Sequence, residues 1–432
     1  MMAPMNDNGE NGRSLPDGWE WKTIEDIVDS EDVFIDGDWV ESKDQDPNGE
    51  IRLIQLADVG DGYYRNRSDR FLTYKRALEL GCTFIEKGDL LIARMPDPLG
   101  RACIFPGDAK QSVTVVDVCI VRTKNAKHHW LMHAINSPRF REDVESLQSG
   151  STRKRISRKN LAKLKLPIPP LSEQERIVSR IEELLSDLDA GVASLERVQL
   201  GLQRYKASVL KAACEGRLFG DVEFGDEGLS AGWRWTTVGE IGKISGGLTQ
   251  NSKRNVLKKK MPYLRVANVY ANELRLDDIS DIGIEEKEIE RALLRDGDLL
   301  VVEGNGSADQ IGRVAIWNDS ISPCLHQNHI IKVRFEPKEV AEYVLYWLLS
   351  EGGREQITKV ASSTSGLYTL SLSKVSNLPV PLPPLDEQRR IVAEVERRLS
   401  VVGEVESAVE VGLVRAGRLR QSVLRSAFEG RL

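Results

Sequence analysis

The strongest constraint on the fold of this chain is a segment that occurs twice without a gap. Residues 169–218 (spacer 1) read PPLSEQERIVSRIEELLSDLDAGVASLERVQLGLQRYKASVLKAACEGRL, and residues 383–432 (spacer 2) repeat them 214 positions later. Between 172–218 and 386–432, 18 of 47 positions are identical, and the identities cluster at the two ends. Matched ends around a divergent middle indicate two docking ends joined by a spacer.

Spacer 1 has the seven-residue periodicity of a coiled coil. Its first apolar series is Ile181, Leu188, Leu195, Leu202 and Val209, and its second is Ile177, Leu184, Val198, Tyr205 and Ala212. Spacer 2 keeps one series (Val395, Val402, Val409 and Val423), whereas Arg398, Gly412 and Ser426 weaken the other. A helical rise of about 1.5 Å per residue gives each spacer a length on the order of 60 Å. A long helix packed on one domain core is the alternative.

The segments that precede the spacers also repeat. Leu15-Pro-Asp-Gly-Trp-Glu-Trp corresponds to Leu229-Ser-Ala-Gly-Trp-Arg-Trp, and Ile54-Gln-Leu-Ala-Asp-Val corresponds to Leu264-Arg-Val-Ala-Asn-Val. The offsets, 214 and 210 residues, indicate one fold with loops of unequal length. The predicted order is a disordered tail (1–14), domain 1 (15–168), spacer 1, domain 2 (229–382) and spacer 2.

Each domain is predicted to have an α+β fold. Short apolar or alternating runs bounded by turn residues predict strands, and these runs are Asp89–Arg94, Val113–Arg122, Asp298–Glu303 and His329–Phe335. Helical patches follow at His128–Asn136 and Val340–Ser350. An antiparallel spacer 2 would return the chain to domain 1. We therefore expect the two long helices to pair as an antiparallel coiled coil within a pseudo-twofold internal repeat.

The net charge of −6 does not by itself indicate nucleic-acid binding. Residues 172–218 carry seven basic and eight acidic groups and 386–432 carry nine and eight, so the spacers cancel. DNA binding would have to come from local basic patches or from a more basic partner. Five cysteines without CxxC spacing predict free thiols in a reducing cytoplasm. The chain also lacks a signal-peptide pattern and any apolar run long enough to span a membrane.

Two motifs give the chain a family resemblance. PLSEQERIV and PLDEQRRIV each follow a proline-rich lead, and each spacer closes on EGRL. On two alternating unlike domains, this pattern resembles the DNA-specificity subunit of type I restriction–modification systems over nearly the whole chain. The departures are mild, with Asp386 at the position of Ser172 and weaker heptads in spacer 2.

The resemblance implies separate roles for the two domains and the two spacers. The two domains would be target recognition domains 1 and 2, each reading one half of a bipartite, asymmetric site in double-stranded DNA. The spacers would set the gap between the halves and dock two N6-adenine methyltransferase subunits, with two motor–nuclease subunits completing the complex. The chain itself would be non-catalytic and bind no cofactor. S-adenosylmethionine, ATP and Mg²⁺ would belong to the partners.

The residues themselves offer little catalytic chemistry. The sequence contains neither a [DNS]PP[YFW] methyltransferase signature nor a GxxxxGK[ST] phosphate loop. Asp17, Glu20 and Lys22 resemble a nuclease cluster, but the repeat carries Ala231 and Arg234 in place of the two carboxylates, which favours packing. The histidine pairs His129/His133 and His326/His329 lack a further ligand at zinc spacing, which favours ordinary histidines over a metal site.

Three basic patches and one polar pair are candidates for DNA contact. Phosphate neutralisation requires clustered cations, and base reading requires Arg, Asn or Gln side chains. The candidates are Arg65, Arg67 and Arg70; Arg153, Lys154 and Arg155; Lys253, Arg254, Lys258, Lys259 and Lys260; and Gln327 with Asn328. A solvated basic loop is the alternative for each.

The matched ends of the spacers are candidates for partner docking. They supply Glu173, Gln174, Arg176, Glu215, Arg217, Glu387, Gln388, Arg390, Glu429 and Arg431. Two alternatives remain open at this point: the specificity subunit of a modification-only system, and a coiled-coil scaffold that does not read bases.

Overall fold

The computed structural model describes residues 15–96, 98–150, 153–220, 228–307, 310–364 and 367–432. The predicted tail, residues 1–14, lies outside them. The chain forms two compact units. Unit 1 contains the chain up to Leu195 together with Val411–Leu432, and unit 2 contains Glu196–Glu410.

Unit 1 is built on two small sheets and a strand pair. Its strands are β1 (Glu20–Thr23), β2 (Val33–Asp36), β3 (Ile51–Ile54), β4 (Phe71–Leu72), β5 (Leu90–Ala93), β6 (Ala102–Ile104), β7 (Ser112–Thr114), β8 (Val118–Arg122) and β9 (Lys165–Ile168). Its helices are α1 (Ile24–Ile27), α2 (Tyr74–Glu79), α3 (His128–Ile135), α4 (Pro138–Ser146), α5 (Arg158–Ala162) and the start of α6 (Leu171–Cys214). The strand orders are β2-β8-β5-β6, β4-β3-β7 and β1-β9, with β3 and β7 parallel and the other pairs antiparallel.

Unit 2 repeats this plan. Its strands are β10 (Arg234–Thr237), β11 (Gly242–Gly246), β12 (Lys260–Leu264), β13 (Val269–Tyr270), β14 (Glu273–Leu274), β15 (Ser280–Gly283), β16 (Leu299–Val302), β17 (Gly304–Asn305), β18 (Val314–Ile316), β19 (Leu325–His326), β20 (Ile330–Phe335), β21 (Ser362–Thr364), β22 (Leu367–Thr369) and β23 (Pro379–Leu382). Its helices are α7 (Val238–Ile241), α8 (Glu286–Ala292), α9 (Val340–Leu349), α10 (Glu351–Val360), α11 (Leu372–Ser376) and most of α12 (Leu385–Phe428). The orders β11-β20-β16-β18, β15-β12-β19 and β10-β23 match the three strand groups of unit 1.

The central strands read as continuous apolar runs because both faces of the sheet are buried. Alternate residues of β5 enter different cores: Leu90 and Ile92 pack with α3, and Leu91 packs on the opposite side with Cys103. The α+β prediction is confirmed, and the fold is an internal repeat. The run Val113–Arg122 contains the end of β7 and all of β8, since residues 115–117 turn between them.

The helix seams differ in part from the predicted heptads. The first series of spacer 1 is covered, from Ile181 (0% exposed) to Val209 (2%). The second is confirmed at its ends, where Ile177 is 1% exposed and Leu184 and Ala212 are half-buried, and is wrong in the middle, where Val198 and Tyr205 are each 44% exposed. Leu185, Val192, Lys206 and Ala213, all half-buried or buried, complete the covered face. A lysine on the seam, with its stem covered and its ammonium paired, escapes a search for apolar residues.

Within each unit the long helices run antiparallel. In unit 1, Arg176 Nη2 donates to the Leu432 carbonyl at 2.8 Å, Asp189 pairs with Arg420, and Gly412 lies against Leu195. The paired positions therefore rise along one helix as they fall along the other.

The same direction holds in unit 2. Lys206 Nζ pairs with Glu406 at 2.6 Å, and the Arg390 guanidinium lies 4.7 Å from the ring centre of Phe219. All five cysteines are buried free thiols, as predicted. None of the helices in the described ranges has an apolar stretch sufficient to cross a bilayer.

Candidate nucleic-acid interface and docking ends

Hairpin 1, residues 55–70, connects β3 to β4 and carries the first arginine patch. A bridge between Val59 and Tyr64 closes it, and the Arg65 guanidinium lies 5.6 Å from the Tyr63 ring centre. Arg67 and Arg70 are exposed, and Arg70 Nη1 donates to Gln45 at 3.0 Å. The hairpin thus offers cations beside an exposed aromatic ring, which suits phosphate and base contacts.

Hairpin 2, residues 265–280, occupies the equivalent place in unit 2 at a constant offset of 210. The Tyr270 ring has the Arg275 guanidinium 3.9 Å and the Arg313 guanidinium 4.8 Å from its centre. Arg275 is the structural equivalent of Arg65 and was missed from the sequence. The 210-residue offset, extended past Val269, was the signal that could have found it.

The two hairpins differ in charge. Positions equivalent to Arg67 and Arg70 hold Asp277 and Ser280, and Glu273 pairs with Arg275 at 2.8 Å. Hairpin 1 has three arginines and three aspartates, one of them the buried Asp58, whereas hairpin 2 has two arginines and three acidic residues, so the surface of hairpin 1 is the more basic of the two.

The second patch lies on a turn before α5. Ser149 and Arg155 exchange two backbone hydrogen bonds of 2.8 Å, and Arg153, Lys154 and Arg155 are all exposed. The Ile156 N–H donates to the carbonyl of Arg94 at the end of β5. In unit 2, β21 and β22 form the corresponding hairpin, and Leu370 N–H donates to Glu303.

The third patch divides into structural and exposed cations. Arg254 donates to both Glu288 oxygens at 2.7 and 2.9 Å and to the carbonyls of Thr249 and Gly283. This hydrogen bonding lowers the pKa of Glu288 to about 2. Lys259 pairs with Glu286 at 2.6 Å. Arg254 therefore holds the local fold, and we remove it from the candidate interface.

The other cations of this patch remain available. Lys253 lies in the 3-10 helix Ser252–Val256, Lys260 begins β12 and Lys258 lies between these two elements, and all three side chains are exposed. Together with Lys259, these lysines keep the patch strongly basic.

The polar pair after β19 is only partly available. Gln327 is half-buried and its Oε1 accepts the Val266 N–H at 3.2 Å, whereas the Asn328 amide lies 3.3 Å from His329 Nε2. Burial lowers the pKa of His326 to about 3, and its Nδ1 lies 2.9 Å from the Ile330 carbonyl. His329 faces Glu303 at 3.0 Å. Within the described parts of the chain, no group of three or more His, Cys, Asp or Glu side chains is placed to hold a metal.

A cleft in unit 1 lies between the tip of hairpin 1, α3 and the two long helices. It has a volume of about 760 Å³ and is lined by Gly62, His133, Glu182 and Arg420, among others. His129 Nδ1 lies 2.7 Å from Glu182, and burial lowers the pKa of His133 to about 4. The His133 ring is therefore neutral at pH 7, which argues against an anion-binding role for that side chain.

The matched ends of the spacers meet crosswise within each unit. The start of α6 contacts the EGRL end that follows α12 in unit 1, and the start of α12 contacts the segment after α6 in unit 2. Glu173 pairs with Arg176, Glu215 with Arg217, and Glu429 with Arg431. Arg390 is exposed and Glu387 is half-buried.

The two glutamines of the EQ motif are internal. Gln174 is 1% exposed, accepts the Lys127 N–H at 2.8 Å and donates to the Pro169 carbonyl at 2.8 Å. Gln388 is 3% exposed and donates to the Pro383 carbonyl at 2.8 Å. Gln174 joins the start of α6 to the start of α3, whereas Gln388 binds the proline lead of its own helix, and the burial of both side chains excludes them from the candidate docking surface.

The comparisons with known proteins agree with this architecture. The family model for the type I restriction modification DNA specificity domain matches residues 16–197 and 231–398. The chain therefore belongs to the type I restriction modification DNA specificity family.

Individual relatives support the same family. The EcoKI specificity subunit of Escherichia coli is 29% identical over 308 residues, and the StySPI specificity subunit of Salmonella potsdam is 28% identical over 306. Each match covers 70% of this chain and 65% of the relative, so this chain spans slightly less than two thirds of their length.

Solved structures share the fold. A chain from a type I R-M system, 20% identical, superposes with a TM-score of 0.72 over 97% of this chain and 100% of that one. The HsdS subunit from Thermoanaerobacter tengcongensis, 21% identical, gives 0.58 over 98% and 100%.

Proposed function

We propose that this chain is the non-catalytic, sequence-specific DNA-binding subunit of a type I restriction–modification complex. Unit 1 and unit 2 would each read one half of a bipartite, asymmetric site. The observation that carries the proposal is that one scaffold occurs twice with different exposed chemistry at equivalent positions. Arg67 in hairpin 1 against Asp277 in hairpin 2 is the simplest example. Equivalent sites of unlike chemistry are what reading two different half-sites requires.

The partners follow from the crosswise ends. Because the same start and the same EGRL end meet in both units, two identical partner subunits could dock equivalently, one on each. The exposed members are Arg176, Arg217, Arg390 and Arg431, and the glutamates Glu173, Glu215, Glu387 and Glu429 are half-buried. The proposed partners are two N6-adenine methyltransferase subunits, which bring S-adenosylmethionine, and two motor–nuclease subunits, which bring ATP and Mg²⁺. A cytoplasmic location follows from a DNA target in the cell.

The test is the methylation pattern of the assembled complex. The chain is co-expressed with the methyltransferase subunit, and methylated adenines are mapped by single-molecule sequencing. A split motif with two fixed halves is expected, and exchanging residues 15–166 for those of another specificity subunit should change one half only. Methylation that ignores this exchange would contradict base reading by unit 1. Equal binding to mixed duplexes, with or without the partner, would instead indicate a protein scaffold.

The role of the long helices has its own test. Inserting four residues beside Gly191 adds about one helical turn. If these helices set the gap, the permitted spacing between half-sites changes or methylation is lost. An unchanged gap would remove this role. Neighbouring genes without a nuclease would indicate a modification-only system with the same subunit.

A further inference from the structure

Hairpins 1 and 2 share their length and their anchoring but differ in one buried side chain. Asp58 is 0% exposed and Asn268 is 3% exposed, at the same offset of 210. Each carbonyl accepts the N–H of the hairpin arginine, Arg65 at 2.8 Å and Arg275 at 2.9 Å. The two hairpins are therefore superimposable up to this arginine.

Asp58 binds the hairpin through N–H groups only. Its Oδ2 accepts the Gln55 N–H at 2.8 Å, and its Oδ1 accepts the N–H groups of Arg67 at 2.6 Å and Ser68 at 2.7 Å. A buried carboxylate has no donor, so the second half of the hairpin (residues 65–70, the returning limb) must turn N–H groups toward it.

Asn268 binds the equivalent limb mainly through carbonyls. Its Nδ2 donates to the Arg275 and Asp278 carbonyls at 2.8 and 3.0 Å, while its Oδ1 accepts the Arg265 N–H at 2.9 Å. Ser68 and Asp278 are equivalent positions. One presents its N–H to the buried side chain and the other presents its carbonyl, so the peptide planes of the two limbs are turned differently.

The backbone angles agree with this difference. Asn66 adopts a φ of 51°, in the left-handed region that Asn tolerates. The equivalent Leu276 is not among the described residues with positive φ. The limb that carries Arg67 and Arg70 is therefore a different shape from the limb that carries Asp277 and Asp278.

Most of the support beneath the hairpins is common to both units. Arg101 Nη2 donates to the Leu56 carbonyl at 2.7 Å, and Arg313 Nη2 donates to the equivalent Val266 carbonyl at 3.3 Å. Gly62 and Asn272 donate their N–H groups to the equivalent carbonyls of Ala102 and Val314. One anchor is not shared: Arg52 Nη2 donates to the Ser68 carbonyl at 2.7 Å, and unit 2 has Pro262 at the equivalent position, so in unit 1 the buried side chain acts together with Arg52.

We propose that Asp58 and Asn268 are positioning residues that select the backbone shape of the two hairpins and thereby determine the bases that each half-site must have. The inference rests on the proposed function and adds a mechanism by which one scaffold acquires two specificities. Asp58 and Asn268 touch no base. They act through the backbone that their side chains bind, which carries Arg67 in hairpin 1 and Arg275 in hairpin 2.

The first test uses Asp58→Asn and Asn268→Asp in the complex with the methyltransferase subunit. Asp58→Asn replaces one acceptor oxygen by an NH2 group, which must face either the Gln55 N–H or the N–H groups of Arg67 and Ser68, and Asn268→Asp places a carboxylate against two carbonyls. Each variant should reduce methylation of the original motif by at least about tenfold, because the half-site read by the substituted unit is no longer recognised. The other half of the mapped motif should stay unchanged.

The second test separates positioning from folding. Residues 265–280 and 55–70 have equal length, so hairpin 2 can replace hairpin 1 with either Asn or Asp at the buried position. The graft that keeps Asn should melt like the wild-type chain and alter the first half of the motif. The graft with Asp should lose methylation by about tenfold or more relative to it. Asn at the buried position of the graft is thus expected to restore the methylation that is lost with Asp.

Three outcomes would overturn the inference. They are an unchanged motif in Asp58→Asn, loss of both halves together, and equal methylation by the two grafts. Failure of the proposed function is distinguishable, because the wild-type complex would then give no split motif at all.

Discussion

Unit 1 and unit 2 differ least where the fold is held together and most where the surface is open. A bidentate ion pair joins Arg122 to Asp89 in unit 1, with both bonds at 2.7 Å. Arg334 and Asp298 form the same pair in unit 2 at 2.7 and 2.6 Å. By contrast, equivalent hairpin positions carry an arginine in one unit and an aspartate in the other. Duplication has therefore kept the internal contacts while the exposed loops diverged.

The largest expected effect comes from breaking the repeated ion pair. Asp298→Ala leaves the half-buried Arg334 guanidinium without its carboxylate partner, which should cost about 3–5 kcal/mol in unit 2. After Asp89→Ala, by contrast, the Arg122 guanidinium keeps Glu86 at 2.6 Å, and unit 1 should lose less stability. Hydrogen exchange followed by mass spectrometry, read separately over the two units, measures it. The comparison predicts a larger loss in unit 2 than in unit 1, because Glu86 remains beside Arg122, with each loss confined to its own unit. Equal losses would show that the Glu86 pair contributes nothing measurable.

A smaller and unequal effect is expected at the glycine of each EGRL. Gly216 and Gly430 have φ of 75° and 68°, and an added Cβ would lie 1.9 Å from Ser230 Oγ and 2.2 Å from Pro16 Cγ. The left-handed backbone alone disfavours alanine by about 1 kcal/mol. The Ser230 hydroxyl can rotate away, which leaves the Ser230 Cβ 2.8 Å from the added atom, whereas the Pro16 ring cannot rotate and leaves a 2.2 Å contact. Gly430→Ala should therefore cost about 2–3 kcal/mol and Gly216→Ala somewhat less.

The measurement is the urea midpoint of each variant. Gly191→Ala is the matched control, because a Cβ there would meet no atom within 4 Å and alanine favours the helix. Equal losses of stability for Gly216→Ala and Gly430→Ala would mean that the backbone angle alone determines the cost of alanine.

A third prediction compares the two motif glutamines. Gln174 satisfies the Lys127 N–H, whereas the Oε1 of Gln388 is buried with no hydrogen-bond partner among the described residues. Gln174→Ala leaves the partly buried Lys127 N–H without its acceptor and should cost about 1–3 kcal/mol. Gln388→Ala should cost about 1 kcal/mol less than that, because it also removes an unsatisfied acceptor. Thermal melting of both variants tests the ranking, and the reverse order would contradict it.

Sequence reasoning predicted the repeated scaffold well because its signals are periodic. Heptads at Ile181, Leu188 and Leu195 and the apolar run of β5 follow from burial, which leaves a pattern along the chain. It failed where contacts join distant residues. The sequence shows Arg254 as one cation among five, but its partner Glu288 lies 34 residues away and takes it out of the patch. The glutamine of EQ looked like a surface group because its acceptor and donor partners come from the fold.

The last and smallest effect concerns the lysines that remain in the third patch. Changing Lys258, Lys259 and Lys260 together to Ala should weaken DNA binding and reduce the slope of log K against log salt by up to about one for each phosphate that is no longer neutralised. Because Lys259 already pairs with Glu286, we expect a change nearer to that of two phosphates than of three. Binding to cognate and mixed duplexes over a range of salt concentrations measures this slope, and binding to both kinds of duplex should weaken alike.

Arg254→Ala is the matched comparison. It is expected to lower stability through loss of the Glu288 pair, with a smaller change in slope. An unchanged slope for the triple variant would exclude this patch from the interface and leave unit 2 to bind DNA through hairpin 2 alone.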